Sequence, residues 1–182
     1  MLNRRDVMAA GLGMATAMLV GREAAVADLE PDGMSMFYRR HALYVVGERD
    51  DRVAGAVVDL LARTLPQTRA RLARAADVRR IGVLIGTKQQ DVAVMARADA
   101  EALFHAKPPF ADIRDLPLRA IVALGGAVLV CRSDYPSRPV FLLAQALVGN
   151  GAALPAPPGE PTGIIPKHPG SCAFFAGDGM PV

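Results

Sequence analysis

The stretch Leu43-Tyr44-Val45-Val46-Gly47-Glu48-Arg49-Asp50-Asp51-Arg52 joins a short apolar run to a charged turn and the start of a helix. Its aliphatic and aromatic residues favour a β-strand over His41–Val46. Asp50 or Asp51 can cap a helix over Arg52–Leu65, where apolar residues recur at spacings of three and four. This stretch therefore predicts a strand, a tight turn and a helix.

Signals for strands and helices continue to alternate up to residue 150. We expect strands near Arg69–Ala73 and at Asp91–Met95, Leu118–Leu124 and Ala127–Cys131, with helices at Asp77–Ile85, Asp99–His105 and Val140–Val148. Such alternation is typical of the α/β class with a mostly parallel sheet. The sequence thus predicts a single three-layer α/β lobe over residues 41–150. In such sheets a ligand usually lies at the carboxyl ends of the strands, beside the N-termini of helices.

The first 27 residues have the pattern of an export signal. Arg4-Arg5 precedes the 13-residue uncharged stretch Met8–Val20, and Ala25-Val26-Ala27 is a small-residue cleavage pattern. Thirteen residues form a helix of about 20 Å, shorter than the hydrocarbon core of about 30 Å. We therefore predict a twin-arginine signal peptide over residues 1–27 and a mature protein in the periplasm.

Two segments with loop-like composition flank the lobe. Residues 28–40 are predicted to form a lead-in arm. Proline and glycine dominate residues 151–169, so this stretch is predicted to be coil that adds no core element, within a C-terminal tail over residues 151–182 that wraps the lobe.

The mature chain carries a nearly balanced charge. Of 21 Lys and Arg and 18 Asp and Glu, three arginines and two acidic residues lie in residues 1–27, which leaves 18 cationic against 16 anionic residues. An arginine cluster comprises Arg69, Arg71, Arg74, Arg79 and Arg80. Because no aromatic residues are interleaved, the cluster indicates a solvated helix face and not a nucleic-acid interface.

The chemistry-bearing side chains are few and scattered. Cys131, at the end of an apolar run, and Cys172, in the tail, either form a disulfide in an oxidising compartment or remain a buried and a free thiol. The three histidines lack ligand spacing, so no metal site is expected. No serine lies in a GxSxG elbow, and an apolar-flanked Cys131 is a poor nucleophile. The sequence thus predicts neither an enzyme nor a bound cofactor.

Six segments follow one another in an order that can be compared with a known family. They are Asp91–Asp99, Pro109–Ala111, Leu118–Leu124, Ala127–Asp134, Val140–Leu147 and Ile165–Gly170. In this order they resemble the TAXI-type solute receptors of TRAP transporters, which are type 2 periplasmic binding proteins. The resemblance extends from about residue 41 to 175. It implies one lobe of such a receptor and a ligand site at the strand ends.

The chain departs from the receptor pattern in two respects. Receptors of this type close two lobes around the ligand, whereas here Ser133 is followed almost at once by the C-terminal segments, as if the second lobe had been excised. The ligand-holding turn after the first strand is rich in glycine, serine and threonine in the family. Here it contains the charged residues Glu48–Arg52, which are costly to desolvate around a small ligand.

Two functions remain open from the sequence. In the first, the lobe captures a small anionic solute such as a carboxylate for membrane transporter subunits, and the ligand-side residues are Arg49, Arg52, Arg97 and Asp99. An N-cap role would explain Asp99 without a ligand. In the second, the chain is a non-transport accessory or interaction domain that binds a periplasmic partner protein or forms a dimer. An exposed apolar patch on the last two strands would favour a partner there, whereas a covering tail would favour an autonomous monomer.

Overall fold

The computed structural model describes residues 42–181, in which helices pack on both faces of a six-stranded sheet. The strands are β1 (Tyr44–Glu48), β2 (Arg71–Ala75), β3 (Val92–Ala96), β4 (Leu118–Leu124), β5 (Ala127–Arg132) and β6 (Pro158–Gly159). The helices are α1 (Arg52–Thr64), α2 (Val78–Gly86), α3 (Arg97–Phe104), α4 (Ser137–Gly149) and α5 (Pro169–Ala176), with 3-10 turns at Pro66–Thr68 and Gly151–Ala153. The predicted α/β class and the three layers are confirmed.

The strand order is β2-β1-β3-β5-β4-β6. Strand β1 pairs in parallel with β2 and β3, while β5 is antiparallel to β3 and β4, and β6 is antiparallel to β4. Strands β1 to β4 therefore run in one direction. The sheet is mixed because a turn at Gly125, where φ is 66°, sends β4 straight back into β5.

Helices α1 and α2 begin at the predicted positions because aspartates cap them. The Asp51 carboxylate accepts hydrogen bonds from the N–H groups of Val53 at 2.8 Å and Ala54 at 3.2 Å. The Asp77 carboxylate accepts one from the N–H of Arg80 at 2.7 Å. These caps satisfy backbone donors that an uncapped helix would leave without partners.

The central strands alternate their side chains between two apolar cores. On β3, Val92 and Val94 pack toward α1 and α4, whereas Ala93 and Met95 pack toward α2 and α3. Helix α4 is mostly apolar, and eight of its 13 residues are buried. Burial on both faces explains why the central strands have continuous apolar sequences.

The C-terminal tail wraps the lobe, but it is not only coil. It contributes β6 and α5, and residues 158–171, here called the covering segment, run along the outer edge of β4. The N–H of Ala120 donates to the Pro166 carbonyl at 3.0 Å, and the N–H of His168 donates to the Ala120 carbonyl at 2.9 Å. The buried Ser171 hydroxyl donates to the Ile121 carbonyl at 2.6 Å. The expectation that residues 151–169 form only coil was therefore wrong, because they contribute β6 and pair with β4.

The predicted signal peptide and lead-in arm, residues 1–27 and 28–40, lie outside the described residues. Between residues 42 and 181, no helix has both the length and the apolar character needed to cross a membrane.

Candidate functional site

The charged turn after β1 is closed by contacts within the chain. The N–H of Asp51 donates to the Glu48 carbonyl at 3.1 Å. From the neighbouring strand β2, Arg74 Nη1 donates to the carbonyl oxygens of Glu48 at 3.1 Å and Asp51 at 2.9 Å. Both predicted ligand-binding residues of this turn, Arg49 and Arg52, are exposed. The turn is thus held by Arg74, which the sequence did not indicate as a site residue.

Arg97 lies at the carboxyl end of β3 as the first residue of α3. Its N–H donates to the Gly126 carbonyl in the β4–β5 turn at 2.9 Å. Its Nη1 donates to two oxygens of Thr162, the carbonyl at 2.9 Å and the hydroxyl at 3.0 Å. No carboxylate of residues 42–181 forms an ion pair with this guanidinium. The covering segment therefore supplies neutral acceptors at the arginine where a solute carboxylate was expected.

Asp99 does not cap α3, so that prediction was wrong. The N-cap position is Ala96, and the helix begins at Arg97 without a side-chain cap, because the Gly126 carbonyl takes the N–H of Arg97. Asp99 lies instead in the first turn, where a carboxylate interacts favourably with the positive end of the helix dipole.

The four predicted ligand residues lie at the ends of the neighbouring strands β1 and β3. Within the described part of the chain, no hydrogen bond or ion pair joins any two of them. The four residues therefore share one end of the sheet, as the sequence predicted, but they do not form an assembled site.

The two cysteines are free thiols, and the disulfide alternative is wrong. Cys131 is fully buried on β5 in the core that faces α1 and α4, whereas Cys172 is exposed on α5. Burial raises the pKa of the Cys131 thiol far above its ordinary value. Cys131 therefore behaves as a small apolar core residue.

The neutral imidazole of His168 holds the covering segment against the lobe through hydrogen bonds. Its Nε2 hydrogen-bonds the Tyr135 carbonyl at 2.8 Å, and its Nδ1 accepts the N–H of Gly170 at 3.2 Å. Burial lowers the pKa of His168, and the nearby Arg119 lowers it further, although the bond to the Tyr135 carbonyl opposes this. Because Nδ1 is an acceptor here, Nε2 carries the proton.

A groove of about 750 Å³ lies beside β2, at the end of the sheet opposite the covering segment. Its lining consists of Ala73, Arg74, Ala75, Ala76, Asp77, Arg79, Arg80, Val83, Leu84 and Gln90. Between residues 42 and 181, β2 pairs with β1 alone and leaves its other side open. We call this surface the β2–α2 groove.

One end of the β2–α2 groove is cationic. Arg79 and Arg80 are exposed at the start of α2, where the helix dipole adds positive potential. Arg79 forms an ion pair with Asp112, but the two side chains are 53% and 55% exposed, and such pairs contribute little and exchange easily. Asp77 is engaged as the helix cap.

The interpretation of the arginine cluster as one helix face was wrong. Arg71 and Arg74 belong to the edge strand β2, whereas Arg79 and Arg80 belong to α2. The alternation of arginine with small or apolar residues over Arg71–Ala75 was the available signal, because charged residues are common on strands at the edge of a sheet.

No three His, Cys, Asp or Glu side chains of residues 42–181 come together as a metal site would require. The chain matches no protein-family model, no curated protein and no solved structure. The resemblance to TAXI receptors therefore depends on the six sequence segments, and a function has to be argued from the geometry of the lobe.

Proposed function

We propose that this chain is an exported accessory domain, related to a single lobe of a TAXI-type receptor, that binds a periplasmic partner protein. In this proposal it is neither a transport receptor nor an enzyme. The observation that carries it is that the arginines at the strand ends, Arg74 and Arg97, are hydrogen-bonded to oxygen atoms of the chain itself. A solute carboxylate at Arg97 would first have to displace Thr162.

The state of the β4 edge supports the proposal in a second way. This is the region where a second lobe would attach if the resemblance holds, and the covering segment pairs with it. Strands β4 and β5 are buried along almost their whole length. Because the covering segment occupies this edge, the lobe is expected to be stable without a second lobe. The same occupation argues against a dimer formed through β4. Among residues 42–181, the β2–α2 groove is a concave surface that a partner protein can contact.

Export is part of the proposal and rests on the sequence of residues 1–27. Replacing Arg4-Arg5 by two lysines keeps the charge but removes the paired guanidinium groups. We expect this change to abolish appearance of the mature chain in the periplasm, as measured by fractionation and immunoblotting. Unchanged export of the double variant would contradict a twin-arginine route.

Solute capture at Arg97 is the second candidate, because the hydrogen bonds of this guanidinium within residues 42–181 go to the neutral oxygens of Thr162. The deciding experiment is differential scanning fluorimetry of residues 28–182 with a panel of small carboxylates. A ligand at about a thousand times its Kd stabilises a protein by about 4 kcal/mol. We expect no member of the panel to raise the Tm. Stabilisation that Arg97→Ala abolishes would establish solute capture and overturn the proposed function.

The matching positive experiment locates the partner contact. A photo-crosslinking amino acid replaces Val83, which lines the β2–α2 groove, or Asp59, which is exposed on α1, in the exported protein. We expect a discrete protein adduct from position 83 and none from position 59. Equal labelling from the two positions would contradict a specific partner surface.

A further inference from the structure

We infer that the β2–α2 groove binds an extended, acidic peptide segment, which adds a strand to the free edge of β2. This inference rests on the proposed function, because it names the surface and the chemistry through which the partner is recognised. Peptide binding by strand addition uses backbone hydrogen bonds for affinity and side-chain pockets for specificity.

The backbone of β2 presents hydrogen-bonding groups on its open side. The N–H of Arg71 donates to the Leu43 carbonyl at 2.8 Å, so the backbone of Arg71 faces β1. Because the N–H and C=O groups of successive residues alternate in direction along a strand, those of Leu72 and Arg74 point away from β1. Within residues 42–181, the two N–H and two C=O groups of Leu72 and Arg74 are thus available to a further strand.

The side chains beside this edge leave room for those of a peptide. Ala73 and Ala75 belong to the core layer of α2, whereas Leu72 packs toward α1. The short alanine side chains line the groove together with Val83 and Leu84. Since strand residues alternate between two faces, every second residue of an added strand would enter the groove.

A buried acceptor in the groove also lacks a donor. The side-chain oxygen of Gln90 is shielded from solvent and has no hydrogen-bond partner among the described residues. A buried acceptor without a donor is unfavourable, and most such atoms in folded proteins are satisfied. An N–H group of an entering peptide would supply the donor.

The charges of the groove specify an acidic occupant and disfavour a second copy of the chain. Arg79 and Arg80 lie at one end, and a peptide carboxylate can replace the exposed Asp112 at Arg79 at little cost. Pairing of two β2 edges would instead place two arginine-bearing strands side by side. Like charges on facing strands are destabilising.

The test begins with selection of random octapeptides displayed on phage against residues 28–182. We expect the enriched peptides to carry acidic residues next to an alternating apolar pattern. Fluorescence anisotropy then measures the best peptide, a copy with Gln in place of its acidic residues, and a copy with alternate backbone nitrogens methylated. We expect each change to weaken binding by about tenfold, because each removes a charge pair or edge hydrogen bonds.

A matched pair of variants assigns the binding to the groove. The double change Arg79→Gln and Arg80→Gln should weaken the acidic peptide about tenfold, whereas Arg63→Gln, an exposed arginine in the last turn of α1, should leave it unchanged. Unchanged melting of both variants would show that they fold.

Several outcomes would overturn the inference. They are enrichment of no peptide or of peptides without acidic residues, equal affinity after loss of Arg79 and Arg80, or crosslinks from position 83 to residues 28–41 or to a second copy. If position 83 crosslinks to a partner protein but no acidic peptide binds, this inference fails and the proposed function stands. Carboxylate binding through Arg97 would instead remove the proposed function.

Discussion

The two outer edges of the sheet differ in whether another part of the described chain covers them. At β4, the covering segment supplies backbone pairing, the buried Ser171 hydroxyl and the capped helix α5. At β2, the described chain supplies no further strand, and arginines and small side chains border an open groove. An unpaired edge invites aggregation unless it is covered, charged or occupied. In the proposed function, the lobe closes one edge for stability and keeps the other for recognition.

The largest effect is expected where α5 meets α4. A Cβ atom on Gly170 would lie 2.0 Å from the Ser137 carbonyl oxygen and 3.0 Å from the Phe141 nitrogen, which are backbone atoms that cannot move independently. Gly170→Ala should therefore lower the free energy of unfolding by about 3 kcal/mol, as measured by urea denaturation. The matched change Gly179→Ala meets no atom within 4 Å and should be nearly neutral. Equal stability of the two variants would show that the covering segment is not packed as described.

A smaller effect is expected from protonation of His168. Because its folded pKa is lowered from the ordinary 6.5, the unfolded chain binds a proton in the range between the two pKa values and the folded chain does not. The contribution to stability is full above about pH 6.5 and is lost as the pH falls through the folded pKa. We expect a loss of about 1 kcal/mol on acidification, comparable to one buried hydrogen bond.

Urea denaturation at pH 7.5 and at pH 5 measures this loss. His168→Asn retains a helix-capping oxygen but does not titrate, so its pH dependence should be weaker than that of the parent protein. His105→Asn, at an exposed position, should keep the parent's pH dependence. Parallel pH profiles for all three proteins would exclude His168 as the source.

Thr162→Val is expected to have a still smaller effect. It removes one of the two oxygens that accept from Arg97 and keeps the carbonyl, so stability measured by urea denaturation should fall by about 0.5 kcal/mol. The variant also distinguishes solute capture at Arg97 from the proposed function. If Arg97 binds solutes, loss of the Thr162 hydroxyl should strengthen carboxylate binding, whereas the proposed function predicts no binding in either form.

The smallest change in stability is expected at the open edge. Arg80 is exposed, and its backbone N–H, which the Asp77 cap uses, is retained in Arg80→Gln. The free energy of unfolding should change by less than about 0.5 kcal/mol while binding to acidic peptides weakens. A large loss of stability would mean that Arg80 supports the fold and that the two edges differ less than described.

Local signals in the sequence were sufficient for much of the fold. The strand, turn and helix from Leu43 to Thr64 follow from an apolar run and one capping aspartate, and both act within a few residues of the elements that they define. The features that the sequence did not predict depend on contacts between residues far apart in the chain. The Gly126 carbonyl replaces a cap at α3, and Ala120 pairs with residues 166 and 168 of a proline-rich tail.

The candidate sites show the same limit. Arg97 was found because it follows a strand, but its partner Thr162 is 65 residues away and carries no motif. The β2–α2 groove was missed because an arginine cluster at near-helical spacing also fits a strand followed by a helix. Only the placement of β2 at the end of the strand order gives these arginines a common surface.

The covering segment has a consequence for synthesis of the protein. Residues 166–168, which pair with Ala120, are translated more than forty positions later. At about 5–20 residues per second, this strand waits about 2–9 s for its cover after it leaves the site of peptide-bond formation. A chain that terminates before residue 166 would therefore keep an unpaired edge at β4, so residues 166–168 complete the protection of the newly made lobe against aggregation.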